Sequence, residues 1–302
     1  MWWHLSRKHT FQEKFRMAIN WYPGHMVKAR RKVKEILHRV DAIIEVLDAR
    51  LPQSSTNPMI EQLRGEKPYF KVMSKSDLAD PVTTKAWQDF FRAQRNMDAL
   101  AITTHKKELA LSIPTRIRKL VPNRGTSAKP IRAMILGIPN VGKSTLINTL
   151  AGKKIANVGD EPAVTKAQQK VTLSDEMYLV DTPGMLWPGL TDVMYNYRLA
   201  ASGAIKDTAF DYDDVAMFAM DYMLQRYPNL LQERFHAEDW PDNAYDALEI
   251  VASKRGCKRR NGFDLTRTGD IFIKELRAGK LGRISFEQPD KEYSYRDLEM
   301  YP

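Results

Sequence analysis

The chain is poor in cysteine, in long apolar runs and in acidic residues. Cys257 is the single cysteine among 302 residues, which excludes an internal disulfide and suits a reducing, cytoplasmic setting. It lies between Arg255 and Lys258 and reads as an ordinary thiol, and no Cys/His cluster with metal-ligand spacing is present. No apolar stretch approaches the roughly 20 residues of a membrane-spanning helix, so stable membrane association is not expected. Internal repeats and low-complexity tracts are also missing. A hydrophobic content of 43% supplies ample core for one large or two ordinary domains.

Acid is scarce relative to base. Lys and Arg number 47 against 37 Asp and Glu, a formal net charge of +10 that favours polyanionic partners such as nucleic acid or an anionic membrane surface. The excess is clustered, at Lys28, Arg30, Arg31, Lys32 and Lys34 and again at Lys254, Arg255, Lys258, Arg259 and Arg260. Residues 1–16 read as a basic extension faintly like an amphipathic targeting segment, and Met17 as the expected translation start.

What is present is an α/β alternation in two parts. A basic amphipathic helix is expected at 26–39, then a strand in V-D-A-I-I-E-V-L-D-A-R whose continuous apolar centre implies burial on both sides. Further strands are expected at 68–73 and 99–103, with a helix near 86–94 between them. A helical stretch follows at 108–121, kinked or interrupted at Pro114. Residues 122–130, P-N-R-G-T-S-A-K-P, have the composition of a linker. From Ile131 a fresh α/β unit runs strand, glycine-rich loop, helix and two strands. Beyond Pro188 alternation stops, and helices are expected at 195–204, 213–227, 243–254 and 269–278, with a domain boundary between Gly184 and Asp192.

The loop G-I-P-N-V-G-K-S-T, from Gly137 to Thr145, follows an apolar strand and precedes a helix, the context a phosphate-binding loop requires. Asn140, Val141, Gly142, Lys143, Ser144 and Thr145 are candidates to surround a nucleotide. Backbone N–H groups at a helix N-terminus cradle phosphate, Lys143 reaches the β- and γ-phosphates, and Ser144 is placed to ligate Mg2+. The strand M-Y-L-V ends in Asp181-Thr182-Pro183-Gly184, the D-x-x-G pattern in which a carboxylate holds the magnesium shell and Gly184 N–H meets the γ-phosphate. Between them Thr165 could close its hydroxyl onto Mg2+. Together these residues read as a nucleoside triphosphatase.

The base is addressed by Ser74-Lys75-Ser76-Asp77 after a second apolar strand. This resembles the N-K-x-D signature of GTPases, whose aspartate accepts two hydrogen bonds from guanine, with Ser74 in place of asparagine. Thr103 and Thr104 follow the next strand in the position of the weak S-A-K element. The base-reading residues precede the phosphate loop, so the usual order is rotated. Termini of compact domains lie close enough for such a rearrangement to preserve the sheet. The expected fold is therefore a circularly permuted P-loop GTPase domain over 17–187, with a mostly parallel sheet and helices on both faces. It comprises a base-binding half at 40–121, the linker, and a phosphate and switch half at 131–187. A small all-helical domain over 188–302 follows.

That order, with W-Y-P-G-H-M-V-K-A-R-R at 21–31, V-L-D-A-R-L-P-Q-S-S-T-N-P at 46–58 and D-T-P-G-M-L-W-P at 181–188, closely resembles the ribosome biogenesis GTPase A family. The resemblance spans Ile19 to the basic C-terminal region. It implies a GTPase, cycling between GTP and GDP, that binds the immature large ribosomal subunit and promotes its assembly through a helical domain contacting rRNA. Met185 stands where Ras-like GTPases carry a water-orienting glutamine, and methionine cannot position water. The resemblance implies that His25 takes the catalytic role, although from the residues alone it reads equally as a helix-entry residue after Pro23-Gly24. Asn140 matches an asparagine that helps hold K+ in related GTPases. Switch II running directly into the helical domain implies that nucleotide state sets RNA affinity. The alternative is a GTP-regulated docking switch on an anionic membrane or protein partner, with incidental hydrolysis.

Overall fold

The computed structural model describes residues 34–155, 169–182 and 193–289. The base-binding half contains β1 (Ala42–Asp48), α1 (Pro52–Ser55), α2 (Pro58–Leu63), β2 (Tyr69–Ser74), α3 (Pro81–Arg92), β3 (Met97–Ala101), α4 (Lys107–Leu111) and α5 (Ile113–Leu120). The phosphate half contains β4 (Ile131–Gly137), α6 (Lys143–Ala151), β5 (Gln169–Ser174) and β6 (Met177–Asp181). Among the described residues the strands form one six-stranded sheet in the order β3-β2-β1-β4-β6-β5, parallel except for the edge strand β5.

The two halves therefore make one sheet, joined where β1 pairs with β4. Ile44 is flanked by Phe70 on one side and Ile135 on the other, all fully buried. Burial of aliphatic and aromatic side chains of this size contributes about 1.5–3 kcal/mol each. Every residue of β1 is buried, as its apolar run predicts, and the one charged residue inside it is matched across the register. Glu45 opposes Lys71 of β2, whose ammonium lies 2.7 Å away, and it also accepts from the Tyr69 hydroxyl and the Asn57 amide. Neutralised and hydrogen-bonded in this way, the buried pair does not break the strand.

Local chemistry explains where the expected elements shift. The stretch at 108–121 is two helices that meet at Ser112. Pro114 sits in the first turn of the second, where its missing N–H had no intrahelical acceptor to lose. The third strand occupies Met97–Ala101, two residues earlier than expected. The linker is held in place: Arg124 reaches the Asp41 carboxylate at 2.9 Å, and Thr126 bridges Lys129.

The C-terminal region, expected as a second domain, contains α7 (Val193–Ser202), α8 (Tyr212–Arg226), α9 (Pro228–Phe235), α10 (Ala244–Lys254) and α11 (Leu265–Arg277). Asn243 caps α10 by accepting from Asp246 N, and Asp264 caps α11 by accepting from Arg267 N. Leu199, Val215, Ala219, Leu248, Val251, Phe272 and Ile273 lie in the core. Two features depart from the expected all-helical domain at 188–302. A two-stranded hairpin, β7 (Lys258–Arg259) with β8 (Gly262–Phe263), separates α10 from α11. Residues 283–287 leave the helices and bind the base-reading half. Among the described residues, no helix is long and apolar enough to cross a membrane.

Candidate nucleotide-binding site

The parallel strands β1, β2, β4 and β6 end at one edge of the sheet with Asp48, Ser74, Gly137 and Asp181. The register pairs Asp48 with Ser74 and Ile135 with Asp181. In open α/β sheets the crevice outside the carboxyl ends of the strands is where ligands bind. Most of the nucleotide-binding residues expected from the sequence belong to this edge.

Gly137 is required by proximity. A Cβ there would lie 2.6 Å from the Val46 carbonyl oxygen, so only glycine lets the loop leave β4 against β1. Gly142, with φ +89°, turns the chain into α6 through the left-handed region. Lys143 is the first residue of α6, and Ser144 and Thr145 complete the turn whose first amides have no intrahelical acceptor. Amides of this kind and the positive end of the helix dipole form a cradle suited to phosphate.

Lys143 and Asp181 face each other across that cradle, with Nζ 2.5 Å from Oδ1. Both are almost completely buried, and Asp181 Oδ2 has no hydrogen-bond partner among the described residues. Burial pushes the Asp181 carboxyl up, and the charge and hydrogen bond of Lys143 only partly offset it. Burial likewise pushes the Lys143 ammonium down against the pull of Asp181. The pair is thus a lysine with one anionic partner and a carboxylate with one oxygen left over. Such groups gain when a phosphate and a cation arrive.

The base loop, residues 74–80, is tied to this cradle at several points. The Ser74 hydroxyl lies 2.5 Å from the Val141 carbonyl of the phosphate loop and 2.9 Å from the Leu47 carbonyl of β1, and its single proton serves one at a time. Lys75, at φ +54°, directs its ammonium to Asp48 Oδ2 at 3.1 Å. Ser76 N donates to Ile102 O beyond β3, and the Asp77 carboxylate stays accessible, with His105 Nε2 at 3.8 Å. Thr103 and Thr104 border the same loop, and Thr103 Oγ1 accepts from His105 N. The Asn140 amide nitrogen, at φ +56° of its backbone, donates to Gly203 O at 2.9 Å at the end of α7, so the phosphate loop touches the helical domain directly.

Sequence reasoning left Asp48 and Arg50 without a role. Asp48 accepts a two-pronged pair from the Arg50 guanidinium, at 3.0 and 2.8 Å, together with Arg50 N and Lys75. Arg50 in turn donates to Ser202 O of α7 at 3.1 Å. The signal was a charged D-A-R directly at the end of a buried strand.

His25, Thr165 and Gly184, and the basic residues Lys28, Arg30, Arg31 and Lys32, lie outside the described residues. Lys254, Arg255, Lys258, Arg259 and Arg260 lie in the helical domain, at the end of α10 and on the hairpin. Arg255 is also engaged within the fold. Its guanidinium grips Glu275 at 2.7 and 3.0 Å and stacks over Phe235, work that holds α10 to α11. Burial pushes Glu275 up, but hydrogen bonds and charge from Arg255 and Arg234 bring it down to about 2. Lys254 donates to His236 O and Arg259 pairs with Asp264, and Lys254, Lys258, Arg259 and Arg260 are all exposed.

Comparison with known proteins gives the family. The family described as 50S ribosome-binding GTPase matches residues 132–251. Ribosome biogenesis GTPase A of Bacillus cereus is 43% identical over 284 residues, covering 91% of this chain and 95% of that protein. The protein of the same name from Thermotoga maritima is 32% identical over 273 residues, covering 90% and 95%. Among solved structures, GNP-bound YlqF from T. maritima superimposes with a TM-score of 0.60 at 26% identity, covering 87% of this chain and 99% of that one. With its base loop ahead of its phosphate loop on one continuous sheet and these relatives matched along nearly their whole length, the chain belongs to the ribosome biogenesis GTPase A family.

Proposed function

We propose that this GTPase acts as an assembly factor for the large ribosomal subunit, that the subunit stimulates its hydrolysis, and that its helical domain contacts rRNA. The observation that carries this reading is the direct seam between nucleotide loop and helical domain. Asn140 of the phosphate loop and Arg50 beside the base loop both donate to carbonyls at the end of α7, Gly203 and Ser202. A site whose loops end on the second domain is suited to coupling nucleotide state to what that domain binds. The exposed Lys258, Arg259 and Arg260 supply cations for a phosphate backbone.

GTPases generally use Mg2+, and the donors here fit it: Asp181 Oδ2 is an orphaned anionic oxygen beside the first turn of α6, where Ser144 adds a hydroxyl. Asp181, Ser144 and Thr165 would hold the ion, which would offset charge on the β- and γ-phosphates. The protein's own contribution begins with Lys143. Phosphate oxygens compete with Asp181 for its ammonium, so nucleotide entry separates the buried pair and frees Oδ1. The α6 amides orient the phosphates, Asp77 accepts from guanine, and His25 orients or deprotonates the attacking water. K+ would be held through the Asn140 amide oxygen, since its nitrogen faces Gly203, and replacing KCl by NaCl should then slow hydrolysis.

The decisive measurement is GTP hydrolysis with and without purified large subunits, for the wild type and for His25→Ala. Acceleration by subunits that His25→Ala abolishes is the expected result, and a rate indifferent to subunits overturns it. Pelleting with ribosomal subunits rather than with anionic vesicles, weakened steeply by added salt, separates this function from a membrane-docking switch.

A further inference from the structure

The base loop is held from outside its own domain. Arg283 Nη2 donates to Ser76 O and Arg283 Nε to Ala79 O, both at 2.9 Å. Ile284 N donates to Leu78 O at 3.0 Å, and Asp80 N donates to Ser285 Oγ at 3.2 Å. Four contacts from three consecutive residues thus bracket Asp77 on both sides. Leu78 also packs against Gly279, where a Cβ would come within 2.6 Å of it.

The same short strap is anchored at its other edge by the helical domain. The hydroxyls of Tyr222 and Tyr227 lie 2.8 and 3.1 Å from Ser285 O. Phe286 packs on Phe218 and Tyr222, and Phe286 N donates to Arg50 O at 2.7 Å. The buried Glu287 closes the strap: it accepts from the amides of Gln53 and Ser54 and from Arg198 of α7. The loop that carries Asp77, the segment Arg50–Ser54 and the helices of the second domain therefore all hold Arg283–Glu287.

We propose that Arg283 and Ser285 are positioning residues of the guanine site, and that this strap makes base recognition a joint property of the two domains. An exposed loop whose carbonyls face water samples several conformations, and fixing the carbonyls of Ser76, Leu78 and Ala79 leaves Asp77 one position from which to accept from the base. The inference rests on Asp77 as the guanine-binding carboxylate, and the experiment separates the two.

Binding of GDP, of inosine diphosphate, which lacks the 2-amino donor, and of xanthosine diphosphate, which has a carbonyl there, is measured on the full chain together with KM and kcat for GTP. Arg283→Ala should weaken GDP about tenfold and inosine diphosphate only about threefold, and raise KM about tenfold with kcat within about twofold. Arg283→Lys, able to reach one carbonyl at a time, should recover part of the loss. A merely structural role would lower kcat through loss of folded protein and weaken both nucleotides equally. Asp77→Asn should turn preference from guanine to xanthine; if it does not, the assignment of Asp77 fails and takes the inference with it. If Asp77→Asn switches preference while Arg283→Ala binds both GDP and inosine diphosphate like wild type, the strap alone is overturned. Should Arg283→Ala fail to fold, Ser285→Ala tests the same strap through an expected loss of about threefold in GDP affinity, and wild-type affinity there overturns it.

Discussion

Asp48 and Asp181 end the two strands that flank β4, are equally hidden from water, and have opposite electrostatic fates. Around Asp48 burial favours protonation, but Arg50 and Lys75 outweigh it and hold the carboxyl well below its ordinary range. Around Asp181 burial wins, because Lys143 is its one cation and one oxygen has no hydrogen-bond partner among the described residues. The difference separates a carboxylate whose partners lie within the fold from one left with an oxygen that has no partner among the described residues. Asp48 joins the strand end to Arg50, Lys75 and, through Arg50, to α7. Asp181 waits on the phosphate side with its charge underused.

Asparagine substitutions test that contrast most directly. Asp181→Asn should slow GTP hydrolysis about 100-fold or more, since a neutral amide cannot offset the cation that screens the transferring phosphate. Single-turnover hydrolysis at saturating GTP measures it, and a loss under about threefold would remove Asp181 from the site. Asp48→Asn should act on the fold instead, costing about 3 kcal/mol in urea unfolding because the buried Arg50 loses its anion. A variant as stable as wild type would mean that Arg50 is carried by Ser202 O alone, and the contrast would collapse.

Acidity separates the same two residues by sign. The folded-state value of Asp181 is raised, so above the ordinary carboxylate value of about 4 the folded state retains a proton the unfolded chain has lost, and stability falls as pH rises through that window. The value for Asp48 is depressed. Its contribution is complete above the ordinary carboxylate range and is lost as pH falls below it. Unfolding of the nucleotide-free protein across acidic pH should show Asp181→Asn removing the first slope and Asp48→Asn the second. Slopes of the same sign would contradict the assignment.

The sheet and the phosphate loop were legible because their signals are local. A mostly apolar run makes β1, a glycine that must approach Val46 O ends β4, and a helix former follows Gly142. What escaped reading depends on partners distant in sequence. The helix expected at 213–227 is followed at once by α9, which was not expected and which opens on Pro228 in its first turn, where proline is tolerated. The hairpin at Lys258–Phe263 has strands of two residues, too short for a period-2 pattern. The strap Arg283–Glu287 attaches largely through main-chain groups of the base loop, and a carbonyl carries no side-chain signature. The ion pair of Arg255 was hidden for a related reason: its partner Glu275 lies 20 residues later in the chain.

Ser74 should show the smallest effect, because its link between the two halves is neutral. It stands where asparagine is usual, and its hydroxyl can serve the carbonyl of Leu47 or that of Val141, but not both at once. Ser74→Ala removes a single proton from that junction, a change of about 1 kcal/mol, or roughly fivefold in GDP affinity. Ser74→Asn supplies two N–H donors, enough for both carbonyls. GDP titration of the three proteins should therefore rank asparagine at or above serine and serine above alanine. A hundredfold loss in Ser74→Ala would reverse the order of importance, making this one neutral hydroxyl between the halves matter as much to the nucleotide as the charged groups at Asp48 and Asp181.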